Sequence, residues 1–375
     1  MKNKWKSKFK MIRKIVSLLL TILCLNGEAQ CKDIFLLVGT YSPTMYVYRF
    51  NPVSGELEPT GNLNISGSQY LTVSKNQKFV YVANDQRDVK GGEITALSFD
   101  NGKGTLDRIN STTTGSEPCC FVDISADDKW VAAGNYRLGN LCIFKTNSDG
   151  SIQPCKQIID HKTIAPTGAV PHVHCTLFSP DGKYVFATDL GLDKLFCYPF
   201  SPQSDLPLLE NEGLISETPN GYGPRHLVFH PSGKYLYMIA EKSGHIVCYQ
   251  YKTGKLIQIQ DLLSDSTNND GKGGSADIHI TPNGKFLYAT HRLKANDIVG
   301  YKIASSGKLT ELFHQSSMGI QPRNFVIDPT GSFLLVANVD SGNIVVFKIN
   351  RESGRLSATG EGIKVGKPFC LKMIE

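Results

Sequence analysis

The chain has 375 residues, with 40 Lys and Arg against 34 Asp and Glu, and 41% of its side chains are apolar. That apolar fraction excludes wholesale disorder, and 35 Gly with 18 Pro imply many turns. The net charge of +6 sits wholly in residues 1–29, which hold seven bases and one acid. The rest of the chain is balanced, so nucleic-acid binding has no electrostatic basis.

The first element is a leader. A basic stretch from Lys2 to Lys14 precedes the apolar run Ile15-Val16-Ser17-Leu18-Leu19-Leu20-Thr21-Ile22-Leu23-Cys24-Leu25. That run is too short to span a bilayer. Gly27-Glu28-Ala29 supplies a small-x-small cleavage pattern. These are the parts of a secretory signal peptide, so residues 1–29 are expected to be removed on export. The mature protein, residues 30–375, is expected to be one periplasmic or secreted domain. No later segment is long and apolar enough to span a membrane, so no stable insertion is expected after cleavage. Nine cysteines remain beyond Cys24, an odd number without a C-x-x-C pair. Most sit in apolar strand patterns such as Leu195-Phe196-Cys197-Tyr198, and are read as small buried hydrophobes.

Phe35–Thr40, Met45–Phe50 and Glu56–Pro59 read as the second, third and fourth strands of an incomplete repeat. A recurring segment follows, anchored at Ser74, Ser125, Ser179, His230, Thr281 and Asp328, with spacings of 51, 54, 51, 51 and 47. Its clearest copies are Ser179-Pro180-Asp181-Gly182-Lys183-Tyr184 and Thr281-Pro282-Asn283-Gly284-Lys285-Phe286. An apolar strand leads into each anchor. A turn with Pro and Gly follows, then a strand rich in β-branched and aromatic residues. A third strand comes next, and a Gly-x-Leu step such as Gly307-Lys308-Leu309 opens a fourth. Four short antiparallel strands per fifty residues make a propeller blade. We number the anchored blades 1 to 6. Lys367–Met373 resembles the first strand of blade 6 and supplies the strand missing at the N-terminus. The expected fold is all-β, a seven-bladed propeller closed by pairing of its N- and C-terminal strands. Closure is expected to remove exposed strand edges.

Common positions build the scaffold, so deviations are candidates for function. Five residues before each anchor stand Gln69, Cys120, His174, Arg225, Ala276 and Arg323. Eleven residues after it stand Asp85, Tyr136, Leu190, Glu241, Arg292 and Val339. His172 precedes His174 by two, on the same side of an extended strand. These positions can face one mouth of the central channel and suit an anionic ligand, with Arg forks on carboxylate or phosphate. Glu241 fits a general base and a His an acid, base or donor. Arg225 with Glu241 also reads as a structural ion pair, and His226 as a packed core histidine. Asn84, Asn135, Asp189, His291 and Asn338 recur ten residues past the anchor. They read as turn-closing scaffold rather than as calcium ligands. No Gly-x-Ser-x-Gly elbow occurs, and Asp270-Gly271-Lys272-Gly273-Gly274 lacks the spacing of a P-loop. Asn64-Ile65-Ser66 and Asn110-Ser111-Thr112 match the glycosylation sequon.

Several motifs resemble the seven-bladed propeller lactonase family, typified by propeller-type 6-phosphogluconolactonase. They are Val38-Gly39-Thr40-Tyr41, Pro171-His172-Val173-His174, Gly223-Pro224-Arg225-His226, Ala276-Asp277-Ile278-His279-Ile280, Pro322-Arg323-Asn324-Phe325 and Leu335-Val336-Ala337-Asn338. The family is also similar to a carboxy-muconate cyclising enzyme with a His, two Arg and a Glu at its site. The resemblance implies His172 or His174, Arg225, Glu241 and Arg292 as catalytic residues; from their positions in the repeat, Arg323 and Arg225 are expected to bind substrate. The expected activity is hydrolysis of a sugar lactone, phosphorylated or not, without a cofactor or metal. The export signal sets this chain apart from the cytosolic sugar-phosphate enzyme. Two other readings use the same fold: a non-catalytic propeller binding a glycan or protein, and a cyclase or lyase acting on an unsaturated dicarboxylate.

Overall fold

In the computed structural model, which describes residues 33–85, 91–115, 117–267, 273–360 and 362–375, each repeat turns on the side chain of its anchor. The hydroxyls of Ser74, Ser125, Ser179 and Thr281 accept the backbone N–H five residues on, at 2.9–3.1 Å. The Asp328 carboxylate does the same for Phe333. A short side-chain acceptor thus closes the hairpin, which explains why Ser, Thr or Asp stands at five of the six anchors. The sixth, His230, makes no such side-chain bond to the residue five on: its N–H donates to the Tyr235 carbonyl at 2.9 Å, and its Nδ1 accepts the Ser232 N–H at 3.1 Å.

The strands form seven antiparallel sheets. Blade 3 runs Val173–Phe178, Tyr184–Asp189, Lys194–Pro199 and Leu214–Glu217; blade 4 runs Pro224–Phe229, Tyr235–Ala240, His245–Lys252 and Lys255–Leu263. Blade 5 begins with Ser275–Ile280 and Phe286–His291, and blade 6 with Pro322–Ile327 and Phe333–Asn338. In blade 6 the outer strand is broken into Leu356–Ala358 and Ile363–Lys364, both paired with Asn343–Ile349. Blade 7 joins the two ends of the chain: Pro368–Ile374 pairs with Ile34–Thr40, which continues to Thr44–Phe50 and Leu57–Asn64. The register Phe35↔Ile374 to Gly39↔Cys370 fixes that closure. Among the described residues the only helical turns are two three-residue 3-10 turns, at His161–Thr163 and Glu210–Glu212.

The first strands of neighbouring blades touch in an unbroken ring around one axis. Blades meet face to face. Leu36 and Val38 of blade 7 pack on Leu335, Ala337 and Ile344 of blade 6, for example. The fourth strand of each sheet keeps one unpaired side. Closure therefore completes one sheet and seals the faces. It does not hide the outer edges, contrary to the sequence expectation, because blades pack through side chains and share no ladder.

The Gly-x-Leu step docks a blade on its predecessor. Gly307 has φ +79°, and a Cβ there would lie 2.4 Å from the Tyr235 ring of blade 4. The Tyr237 hydroxyl donates to the Gly307 carbonyl at 2.9 Å, and Tyr288 repeats this on Gly354 at 2.7 Å. Glycine is needed here both for its conformation and for the ring pressed on it.

The positions ten past the anchor act as scaffold. Asp189 accepts the N–H groups of His172, Gly191 and Leu192, and pairs with buried His161 at 2.8 Å. His291 lies between the Ser264 and Ser275 hydroxyls, 2.9 Å from each. The eight described cysteines are free thiols, six of them buried. Asn110 is committed to the fold, donating to the Ile152 carbonyl at 2.8 Å, which leaves its amide unsuited to a glycan. The leader with Cys24, and Cys31 just after it, lie outside the described residues, as do Asp270, Gly271 and Lys272 of the glycine-rich segment. Among the described residues no helix is long and apolar enough to cross a membrane.

Candidate active site

The first strand of six blades carries a register shift near its start. In blade 4 the pairing jumps from Pro224↔Ala240 to His226↔Ile239, leaving Arg225 as the extra residue. The same shift singles out Gln69, His174, Arg323 and, in the shared blade, Phe369. A bulge re-aims the residue it inserts. Here Gln69, His174, Arg323 and Phe369 line one cavity of about 480 Å³, the usual size for a small-molecule site. Cys120, Tyr136 and Glu241 also line it. The positions five before and eleven after the anchor meet because they end adjacent strands of one hairpin.

Arg225 is 1% exposed and donates from Nε to Glu241 Oε2 at 2.7 Å. Arg292 Nη2 reaches the same oxygen at 3.2 Å, while its Nε donates to the Gly274 carbonyl. Both arginines thus engage Oε2, and Oε1 has no hydrogen-bond partner among the described residues. Burial opposes ionisation of Glu241. Arg292, Arg225 and Arg323 outweigh it and bring its pKa down to about 2.

A buried chain supports Arg225 from behind. Its Nη1 lies 3.0 Å from His226 Nε2 and also donates to the Ala276 carbonyl. His226 Nδ1 lies 2.7 Å from Asp277 Oδ1. Burial and Arg225 pull the His226 pKa down to about 3, so the imidazole is neutral. It then donates through Nδ1 to Asp277 and accepts at Nε2 from the arginine. Asp277 also takes hydrogen bonds from Asn324 and from the Phe325 N–H, and meets His279 at 3.0 Å. His226 is therefore more than core filling, and Asp277 is a contributor that the repeat frame did not single out. The signal available was its position: Asp277 stands four residues before its anchor, as His226 and Asn324 do before theirs.

The two candidate histidines part company. His174 lines the cavity; burial, with Arg225 and His226, holds its pKa well below the usual value, so it is neutral. Its Nδ1 is buried without a partner. His172 precedes the strand, stacks on Tyr136 with ring centroids 4.3 Å apart, and places Nδ1 2.8 Å from the Tyr136 carbonyl. It is not part of the cavity lining. Arg292 sits behind Glu241 rather than on the lining. Arg323 lies 4.2 Å over the Phe369 ring. Cys120 is no nucleophile: burial pushes its thiol up to about 11. Tyr136 stays a neutral donor, its pKa raised by burial and by Glu241. Among the described residues no group of three or more His, Cys, Asp or Glu is placed to hold a metal ion.

The family model for the seven-bladed β-propeller lactonase matches residues 35–373. The chain belongs to that family. A 6-phosphogluconolactonase from Formosa agariphila is 35% identical over 339 residues, covering 88% of this chain and 95% of the relative. One from Bacillus subtilis is 31% identical, covering 90% and 97%. The solved structure of a periplasmic gluconolactonase from Pseudomonas aeruginosa is 31% identical, with a TM-score of 0.84 and coverage of 92% and 99%. The lactonase propeller is thus similar to these proteins over nearly its whole ring.

Proposed function

We propose that the protein hydrolyses a sugar lactone at the mouth of the central channel. One observation carries this reading: Glu241 is clamped through Oε2 by Arg225 and Arg292, which leaves Oε1 to the cavity. Oε1 takes a proton from a water as the water oxygen attacks the lactone carbonyl. The Tyr136 hydroxyl and the neutral His174 ring are hydrogen-bond donors for the developing oxyanion, in the field of the arginines. The bond from the carbonyl carbon to the ring oxygen then breaks. The proton held by Glu241 passes to that oxygen, directly or by way of His174. A carboxylate with so low a pKa is a weak base, so charge stabilisation has to supply most of the rate. Arg323 holds the substrate from the opposite wall.

Two relatives of this chain are named for 6-phosphogluconolactone hydrolysis and one as a periplasmic gluconolactonase, which supports both a lactone substrate and work outside the cytoplasm. The basic, then apolar, leader supports export independently. The test is a hydrolysis screen of the purified protein, with and without chelator, over phosphorylated and unphosphorylated sugar lactones. Acid release from at least one, at a rate well above background and lost in Glu241→Gln, is the expected result. No acceleration with any lactone overturns the reading.

A further inference from the structure

The cations around the cavity are not equivalent. Arg225 and Arg292 share Glu241, and Arg137 pairs with Glu117 at 3.1 Å. Arg323 and Lys367 have no carboxylate partner among the described residues. The Arg323 guanidinium makes no hydrogen bond to protein there either. It rests on Phe369, which packs on Tyr41 with ring centroids 5.2 Å apart. Burial, with Arg225 and Arg292, brings its pKa down to about 9, still cationic at neutral pH. A half-buried guanidinium with its donors unspent is arranged for an oxyanion.

A second observation comes from the backbone. Gln321 and Lys367 each precede the proline that starts a first strand, and both have positive φ, 64° and 46°. In blade 4 the same step is Gly223, with φ 64°. A residue with a Cβ is disfavoured in this conformation. Blades 6 and 7 nevertheless keep long polar side chains there, and both line the cavity. The carboxylates on the lining are Glu241, already engaged, and Asp340 at the exposed rim.

We propose that Arg323 and Lys367, with Gln321 beside them, form a subsite for a second, non-reacting anionic group at the far end of the substrate. The group is a terminal oxyanion, phosphomonoester or carboxylate. This rests on the lactone-hydrolase reading and places its two ends: the lactone at Tyr136, His174 and Glu241 of blades 2 to 4, the anion at blades 6 and 7.

Three stable open-chain acids that differ only at C6 test it: gluconate, glucarate and 6-phosphogluconate. Calorimetry on the intact protein gives their affinities, and initial rates on gluconolactone give activity independently. One of the two C6 anions is expected to bind about tenfold or more tightly than gluconate, the factor for a charge-assisted contact. Whichever it is identifies the group. Lys367→Gln is expected to abolish that preference and leave gluconate binding and the melting temperature unchanged. Equal affinities for all three acids, no binding of any, or an equal loss for all three in Lys367→Gln overturns the subsite. Lactone hydrolysis without an anion preference removes the subsite alone. An anion preference without hydrolysis of any lactone removes the catalytic reading alone.

Discussion

Glu241 is a carboxylate whose chemistry is decided by its neighbours. If Oε1 is the base, Glu241→Gln keeps the shape and loses about 10²–10⁴-fold in turnover. If Glu241 only anchors two arginines, the variant melts lower and each folded molecule turns over normally. Melting temperature and turnover on one preparation separate these outcomes. Its acidity gives a second check. The pKa in the fold, about 2, lies below the ordinary 4.5. The stability it contributes is therefore complete above about pH 4.5 and is lost as pH falls towards 2. Wild type should lose melting temperature more steeply than Glu241→Gln across that window. The histidines give a further contrast. His174→Ala should cut turnover with a modest change in stability. His172→Ala should remove a ring stacked on Tyr136 and act mainly on stability, read by chemical denaturation. The sequence placed both histidines on one side of a regular strand. It could not resolve them because the strand starts at Val173 and then bulges. A bulge belongs to the pairing of two strands, and one strand's residues do not display it.

At the level of the blade, repeat spacing and turn chemistry were enough to read the architecture. A residue that closes a turn does so locally, and the Ser, Thr or Asp acceptors recur in five of the six anchored copies. What the repeat did not disclose is how blades grip one another. Gly-x-Leu reads as the start of a strand, and only the folded chain brings Tyr235 against Gly307. Gly307→Ala should accordingly cost about 1–3 kcal/mol, the range for overpacking, measured by denaturant unfolding. Val-sized substitutions should cost more. The buried chain through Asp277 links blades 4, 5 and 6 through His226, Asp277 and Asn324, which all stand four residues before their anchors. The repeat frame holds that position, but side chains as unlike as His, Asp and Asn do not announce that they bond to one another. Phe369 was overlooked for a related reason: its blade is divided between the ends of the chain, so it has no anchor of its own to count from.

For the whole molecule the vulnerable place is the shared sheet. Pro368–Ile374 supplies the inner strand of a blade whose other three strands come from residues 34–64. Removing residues 366–375 deletes those backbone partners, together with Lys367 and Phe369 of the cavity wall. Such a truncation should unfold well below the full chain on heating and should not bind acidic sugars. A truncated protein with the native melting temperature shows that the termini do not pair.

The shared blade also sets the order of events in time. The strand that completes it is synthesised after every other strand of the ring. Until then three strands of blade 7 have no inner neighbour, and blades 1 and 6 each lack a finished face to pack on. Contacts of such long sequence separation form late and slowly. On the export route proposed above, that delay would keep the polypeptide threadable, since the ring cannot close before its last strand is made. Once closed, the molecule has no topological beginning. The ends of the ring lie side by side, and a permuted chain, cut between two other blades and joined across residues 34 and 375, retains every blade.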